Sequence, residues 1–303
     1  MRESTVAQLV RAVLATRRDV EKLRLAVGRL ELAQRMREAR DFHQHEAGVF
    51  SQWGEDGLIA YLTSRVPIER PWFVEFGVED YRESNTRFLL MEKNWRGLVF
   101  DGSTENVRTI KADDISWRHE LDARCAFITR ENINSLLREA GYTGDIGILS
   151  IDIDGNDYWV WDAIDVVSPR IVIVEYNSLF GPERAVTVPY DPAFVRTEKH
   201  YSNAYFGASL GAFERLGDRK GYALVGSNTA GNNAFFVRRD VLAGIPVATA
   251  RDAWRAAKFR EARDERGELT FGDASERLRG IEALLVRDLD SDREVSIASL
   301  GLR

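Results

Sequence analysis

Four short apolar runs in this 303-residue chain end on oxygen-bearing side chains, at the places where a parallel sheet presents its ligands. In an open α/β sheet, ligands bind beyond the carboxyl ends of the strands, so these four ends are the first candidates for chemistry. The run from Trp72 to Phe76 carries Glu75 and stops at Gly77. There a carboxylate could take an ammonium group, and a residue without Cβ lets the backbone come close to a ligand. The run Leu98-Val99-Phe100 closes on Asp101-Gly102-Ser103, about one βα unit later, where a carboxylate can accept both hydroxyls of a ribose. Glu75, Gly77, Asp101, Gly102 and Ser103, with Asp152 from the third end, form the expected cofactor-binding set. A G-x-G-x-x-G turn is absent, since Gly77 is followed by Val78-Glu79-Asp80-Tyr81 and a pyrophosphate would meet two carboxylates. The pattern therefore fits an adenosyl ligand without a pyrophosphate. Glu79 and Asp80 also read simply as favourable charges at a helix start.

The third and fourth ends are the densest. Asp152, Asp154, Asn156 and Asp157 follow one run, and Glu175-Tyr176-Asn177 follows the next. Carboxylates and an amide from adjacent strand ends suit a hard cation such as Mg²⁺, which demands octahedral oxygen ligation. Asp154, Glu175 and Asn177 are the expected metal ligands, and a coordinated acceptor hydroxyl would lose its proton more readily, which gives Asp154 a catalytic role. The alternative for residues 154–157 is an Asx-type turn and helix cap. His200, within the polar and aromatic segment 198–207, is the expected general base, because an imidazole takes up protons near neutral pH. His43, His45 and His119 have no comparable setting.

These residues need strands and helices in alternation to bring them together, and the sequence provides that. Apolar runs near residues 72–76, 98–100, 123–128, 146–153 and 171–175 are separated by helical segments, which implies a parallel sheet covered on both faces. The expected class is α/β, a Rossmann-like doubly wound and mostly parallel sheet. Residues 222–225 and 234–237 flank a turn of Asn228, Gly231, Asn232 and Asn233, and read as a hairpin that makes the last strand antiparallel. Ahead of this domain, Val6, Val13, Val20 and Val27 alternate with Leu9, Leu23 and Leu30 in a heptad interrupted only by Thr16. Valine at a and leucine at d favour a parallel two-stranded coiled coil, and a helix docked on its own domain would show a similar stripe. The chain thus divides into a coiled-coil helix over residues 1–40, a catalytic domain over 41–240, and a helical extension over 241–303 with a helix expected at 250–263.

Residues 73–86, Asp101-Gly102-Ser103, residues 150–161, Glu175-Tyr176-Asn177 and residues 200–210 together resemble the class I S-adenosylmethionine-dependent methyltransferases. More narrowly they look like the FkbM-like bacterial methyltransferases of polysaccharide and natural-product clusters. The resemblance covers about residues 50–240. It implies that Glu75 and Gly77 form the first cofactor motif, that Asp101 holds the ribose, and that Asp154 stands where related sugar O-methyltransferases bind magnesium, with Glu175 and Asn177 near their second cluster. The expected activity is methyl transfer from S-adenosylmethionine to a sugar or glycan hydroxyl. A nicotinamide-dependent sugar enzyme and a catalytically inactive coiled-coil scaffold are the alternatives.

The bulk numbers set the remaining expectations. A net charge of −6 offers no general attraction for a phosphate backbone, so nucleic acid is not expected as a partner. No segment approaches the ~20 apolar residues of a membrane span. Cys125 is the single cysteine, so no intrachain disulfide can form, and it reads as a buried small hydrophobe in a cytoplasmic protein. The partners expected are a small-molecule or glycan acceptor and a second copy of the chain.

Overall fold

The structure, a computed structural model, describes residues 5–302. It begins with helices Thr5–Glu38 (α1) and Glu55–Arg65 (α2), and then alternates strands with helices. Trp72–Phe76 (β1), Arg87–Lys93 (α3), Arg96–Asp101 (β2), Thr104–Ala112 (α4) and the short Ile115–Arg118 (α5) come first. Leu121–Cys125 (β3), Ile133–Glu139 (α6), Gly144–Ile151 (β4), Asp157–Ala163 (α7) and Val167–Glu175 (β5) follow. Val186–Thr187 (β6) and Arg196–Lys199 (α8) precede Leu210–Lys220 (α9), Tyr222–Ser227 (β7) and Asn233–Arg238 (β8). The last elements are Ala250–Ala253 (α10), Ala274–Ile281 (α11), Leu285–Asp288 (β9) and Arg293–Ser296 (β10).

Seven strands form one sheet in the order β3-β2-β1-β4-β5-β8-β7. Its β1, β2, β3, β4 and β5 pair in parallel, whereas β8 pairs antiparallel with both β5 and β7. This is the expected doubly wound Rossmann-like sheet with its antiparallel strand. The near-continuous apolar strands follow from burial on both faces. Val74, Leu98, Leu149, Val172 and Phe236 point to one side, against α6, α7 and α9. Phe73, Val99, Ile148, Ile171 and Phe235 point to the other, against α2, α3 and α4. The strand order reverses beside β1, so the ends of β1, β2, β4 and β5 open onto a common crevice.

Four sequence expectations are corrected. The strand expected at 123–128 runs from Leu121 to Cys125. On this edge strand Cys125 is exposed rather than buried. The helix expected over 250–263 stops at Ala253. Beyond it the backbone spends its polar groups on the loop after β5: Arg255 N–H donates to the Tyr176 hydroxyl at 3.2 Å, and Ala257 N–H donates to Ser178 Oγ at 3.0 Å. The 241–303 extension is not purely helical. Its β9 pairs with β10 and with β6, and Ile281, Val286 and Ile297 share a core with Val186, Phe194 and Phe206. Tertiary packing here overrides helix propensity.

Helix α1 is continuous over 34 residues. One face rests on the body: Gly28 and Leu32 are buried against the cluster of Val49, Phe50 and Phe88, and Glu21 pairs with the buried Arg87 at 2.9 Å. The heptad residues face outward, with Val6 70 %, Leu23 64 % and Leu30 73 % exposed. Among the described residues no helix is long and apolar enough to cross a membrane.

Candidate active site

A cavity of about 540 Å³ opens over the carboxyl ends of β1, β2, β4 and β5. Its wall includes Glu75, Gly77, Asp101, Gly102, Asp152, Asp154, Glu175 and Asn177. The sheet thus brings these eight expected residues to one place. What each does there differs from residue to residue.

Gly77 leaves β1 with φ of +70°, and a Cβ built on it would lie 1.7 Å from the carbonyl oxygen of Asp152. Glycine is required because the loops after β1 and β4 touch, which draws the two strand ends together. Glu75 is buried, and its oxygens are occupied: Asn85 N–H donates to it at 2.8 Å, Thr86 N–H at 3.1 Å, and the Thr86 hydroxyl also donates. Burial pushes its pKa up to about 7. The carboxylate expected to take an ammonium holds the loop leading into α3.

Asp101 accepts from Ser103 N–H at 2.8 Å, from the Asn106 amide at 3.0 Å and from Glu79 N–H at 2.8 Å. Oδ2 has only the Glu79 bond, which leaves it capacity for a hydroxyl donor. Glu79 and Tyr81 have positive φ, so this loop holds a conformation disfavoured for side-chain-bearing residues and keeps its N–H aimed at Asp101. Phe100, Val78, Phe127 and Ile128 add an apolar slot beside Asp101 and Gly102. Ser103 is corrected: its hydroxyl caps α4 by accepting from Asn106 N–H at 3.3 Å, and it is not on the cavity wall.

The segment after β4 divides its carboxylates between a turn and the cavity wall. Asp157 is the turn residue, accepting from Ile153 and Gly155 N–H, each at 2.9 Å. Asp152 and Asp154 remain on the wall with Glu175, and one carboxylate oxygen from each of the three lies within 4.8 Å of the others. Burial, reinforced by neighbouring carboxylates, raises the pKa values of Asp152 and Glu175 well above the ordinary range. Glu175 Oε2 is buried without a hydrogen-bond partner. Asn177, expected as a metal ligand, is held by backbone groups. Both hydrogens of its amide go to the carbonyls of Ala204 and Phe206, each at 3.0 Å, and its oxygen accepts from Leu179 N–H. Asp152 takes its place in the cluster.

His200 is also corrected. It is not on the cavity wall. Its Nδ1 lies 2.7 Å from Ser202 Oγ, its ring packs on Tyr201, and burial lowers its pKa. The structure thus places the expected base beside the cavity wall and not on it.

Sequence reasoning missed two arginines. Arg196, in α8, pairs with Asp154, donates from Nε to the Asn203 carbonyl at 2.8 Å and lies 3.7 Å over the Phe206 ring. It supplies the positive charge that lets three carboxylates share a partly dry wall. Arg277, from α11, reaches the same wall with Phe259. Neither falls in a motif, and the approach of the tail to the site shows only in the packed structure. On the opposite rim Glu55 accepts from the amides of Asn228 and Asn233 at 2.6 and 2.8 Å, tying the hairpin turn to the loop that carries Trp53.

No family model and no curated protein matches the chain. Among solved structures it is similar to the N-terminal domain of EvdMO1 with SAH bound, at 11% identity over 60% of this chain and 79% of that one, with a TM-score of 0.39. It is also similar to an O-methyltransferase from Bacillus cereus in complex with SAH, at 11% identity over 68% and 88%, TM-score 0.37. An S-adenosylmethionine-dependent methyltransferase from Clostridium acetobutylicum matches at 12% identity over 52% and 60%, TM-score 0.32. Likeness at this depth fixes no residue's role, and the chemistry rests on the cavity.

Proposed function

We propose that the chain transfers the methyl group of S-adenosylmethionine to a hydroxyl of a sugar or glycan. The observation that carries this reading is the division of the cavity. One half, at β1 and β2, offers a ribose acceptor in Asp101 beside an apolar slot. The other half, at β4 and β5, concentrates carboxylates with raised pKa values. S-adenosylmethionine, when bound, supplies a sulfonium methyl group to an in-line nucleophile. The chain's part is to align the acceptor hydroxyl and to receive its proton. Glu175 Oε2 is the free acceptor for that proton, and a carboxylate whose pKa is raised toward the working pH is a better base than an ordinary one.

A divalent cation at Asp152, Asp154 and Glu175 is a second reading, supported by the spacing of their oxygens. Mg²⁺ there would lower the pKa of a hydroxyl it touches. We further propose that the outward heptad of α1 pairs two copies of the chain. The test of activity is the appearance of S-adenosylhomocysteine when the protein is incubated with S-adenosylmethionine, Mg²⁺ and neutral and acidic sugars. Turnover with at least one sugar above the no-acceptor rate is expected; none across the panel would overturn the proposed acceptor class.

A further inference from the structure

The C-terminal extension adds a group to the acceptor side of the cavity that the proposed methyl transfer does not use. Arg277 is only 6 % exposed. Its Nη1 donates to the Phe259 carbonyl at 2.8 Å, its Nε is buried with no partner, and it makes no ion pair among the described residues. A buried charge without a counter-charge is strongly unfavourable, so this guanidinium waits for an anion.

Among the described residues the neighbouring groups fill that role in part, through the Glu261 charge without an ion-pair contact. Arg196 carries like charge and is committed to Asp154. Glu261, the carboxylate on the same wall, pairs with Arg263 at 3.2 Å and lies 3.5 Å from the Asn203 amide. Burial and then the Arg196 charge lower the pKa of Arg277, and the Glu261 charge opposes them without reversing the direction. Phe259 supplies an apolar face nearby, suited to the flat side of a ring. A guanidinium grips a carboxylate through two parallel hydrogen bonds, and Arg277, on the cavity wall, spends Nη1 on the Phe259 carbonyl.

We propose that Arg277, with Phe259 beside it, binds a carboxylate carried by the acceptor, so that the substrate is an acidic sugar of the uronic acid type. The inference rests on the methyl-transfer reading and narrows its substrate. The cofactor's own carboxylate is the competing anion. Arg277 stands with Arg196 on the side of β4 and β5, whereas the ribose site is at β2.

The test is calorimetry on the full chain saturated with S-adenosylhomocysteine, titrated with D-glucuronate, D-glucose and inorganic phosphate. D-glucuronate is expected to bind at least tenfold more tightly than D-glucose, a preference measurable on the unmodified protein. Arg277→Gln should bring the two sugars within about twofold, and Arg277→Lys should keep part of the preference, since the charge remains without the fork. Both variants should bind S-adenosylhomocysteine within about twofold of the parent. Equal affinity for the two sugars, no glucuronate binding, tighter binding of phosphate, or a preference that survives Arg277→Gln would overturn the inference. Loss of S-adenosylhomocysteine affinity in both variants would assign Arg277 to the cofactor instead. If the unmodified protein binds no S-adenosylhomocysteine, the methyl-transfer reading itself fails, an outcome distinct from cofactor binding without sugar preference.

Discussion

Glu175→Gln is expected to cut methyl transfer by roughly 10²–10⁴-fold, the range over which a positioned general base contributes, while making the folded protein more stable near pH 8. The two effects have one cause. Glu175 sits on a buried wall with Asp152, its Oε2 lacks a partner, and burial followed by the Asp152 charge raises its pKa well above the ordinary carboxylate range. Between an unfolded value near ~4.3 and the raised folded value, the folded state binds more protons than the unfolded one. Its stability therefore falls as pH rises across that window. Glutamine carries no charge to desolvate, so the melting temperature of the variant should decline less steeply from pH 5 to pH 8, and the two proteins should converge at the acid end. Thermal melts across that range check the stability arm, and a turnover assay checks the catalytic arm. Parallel melting curves with unimpaired turnover would remove Glu175 from the mechanism.

The double substitution Val20→Glu with Leu23→Glu is expected to halve the mass of the protein in solution without changing its cofactor affinity. Val6, Leu9, Val13, Val20, Leu23, Val27 and Leu30 are all exposed on α1, although full burial of such a side chain is worth ~1.5–3 kcal/mol. Gly28 and Leu32, on another face, hold the helix to its own body, so the heptad is not used twice. Valine at a and leucine at d select two parallel strands. Light scattering on the parent and the double variant decides the point. A monomeric parent, or a variant of unchanged mass, would sink the dimer.

Much of the fold was legible because it depends on local signals. The apolar runs of β1, β2, β4 and β5 need burial on both faces, and the Asn-rich turn before β8 marks the hairpin. The acidic strand ends were legible for the same reason, since a residue that follows a buried strand has a known address. What the sequence could not show is how each polar group is already spent. Glu75, Ser103 and Asn177 all sit at predicted strand ends, yet their hydrogen bonds go to neighbouring backbone. His200 was placed by its distance along the chain, but its short turn keeps it off the cavity wall. Arg196 and Arg277 come from α8 and α11, whose approach to the site is fixed by packing among Phe194, Phe206 and Ile281 rather than by any motif.

We propose that the cavity at β1 and β2 holds an adenosyl cofactor through Asp101. Calorimetric titration of S-adenosylhomocysteine into the full chain and into Asp101→Asn tests it most directly. The asparagine keeps one acceptor oxygen for the loop but loses the charge, and a charged hydrogen bond is worth ~1.5–3 kcal/mol. Binding at one site per chain, weakened by at least tenfold in a variant that melts cooperatively, is the predicted result. An intact protein that binds no S-adenosylhomocysteine, or an Asp101→Asn variant that binds it as well as the parent, would contradict the account.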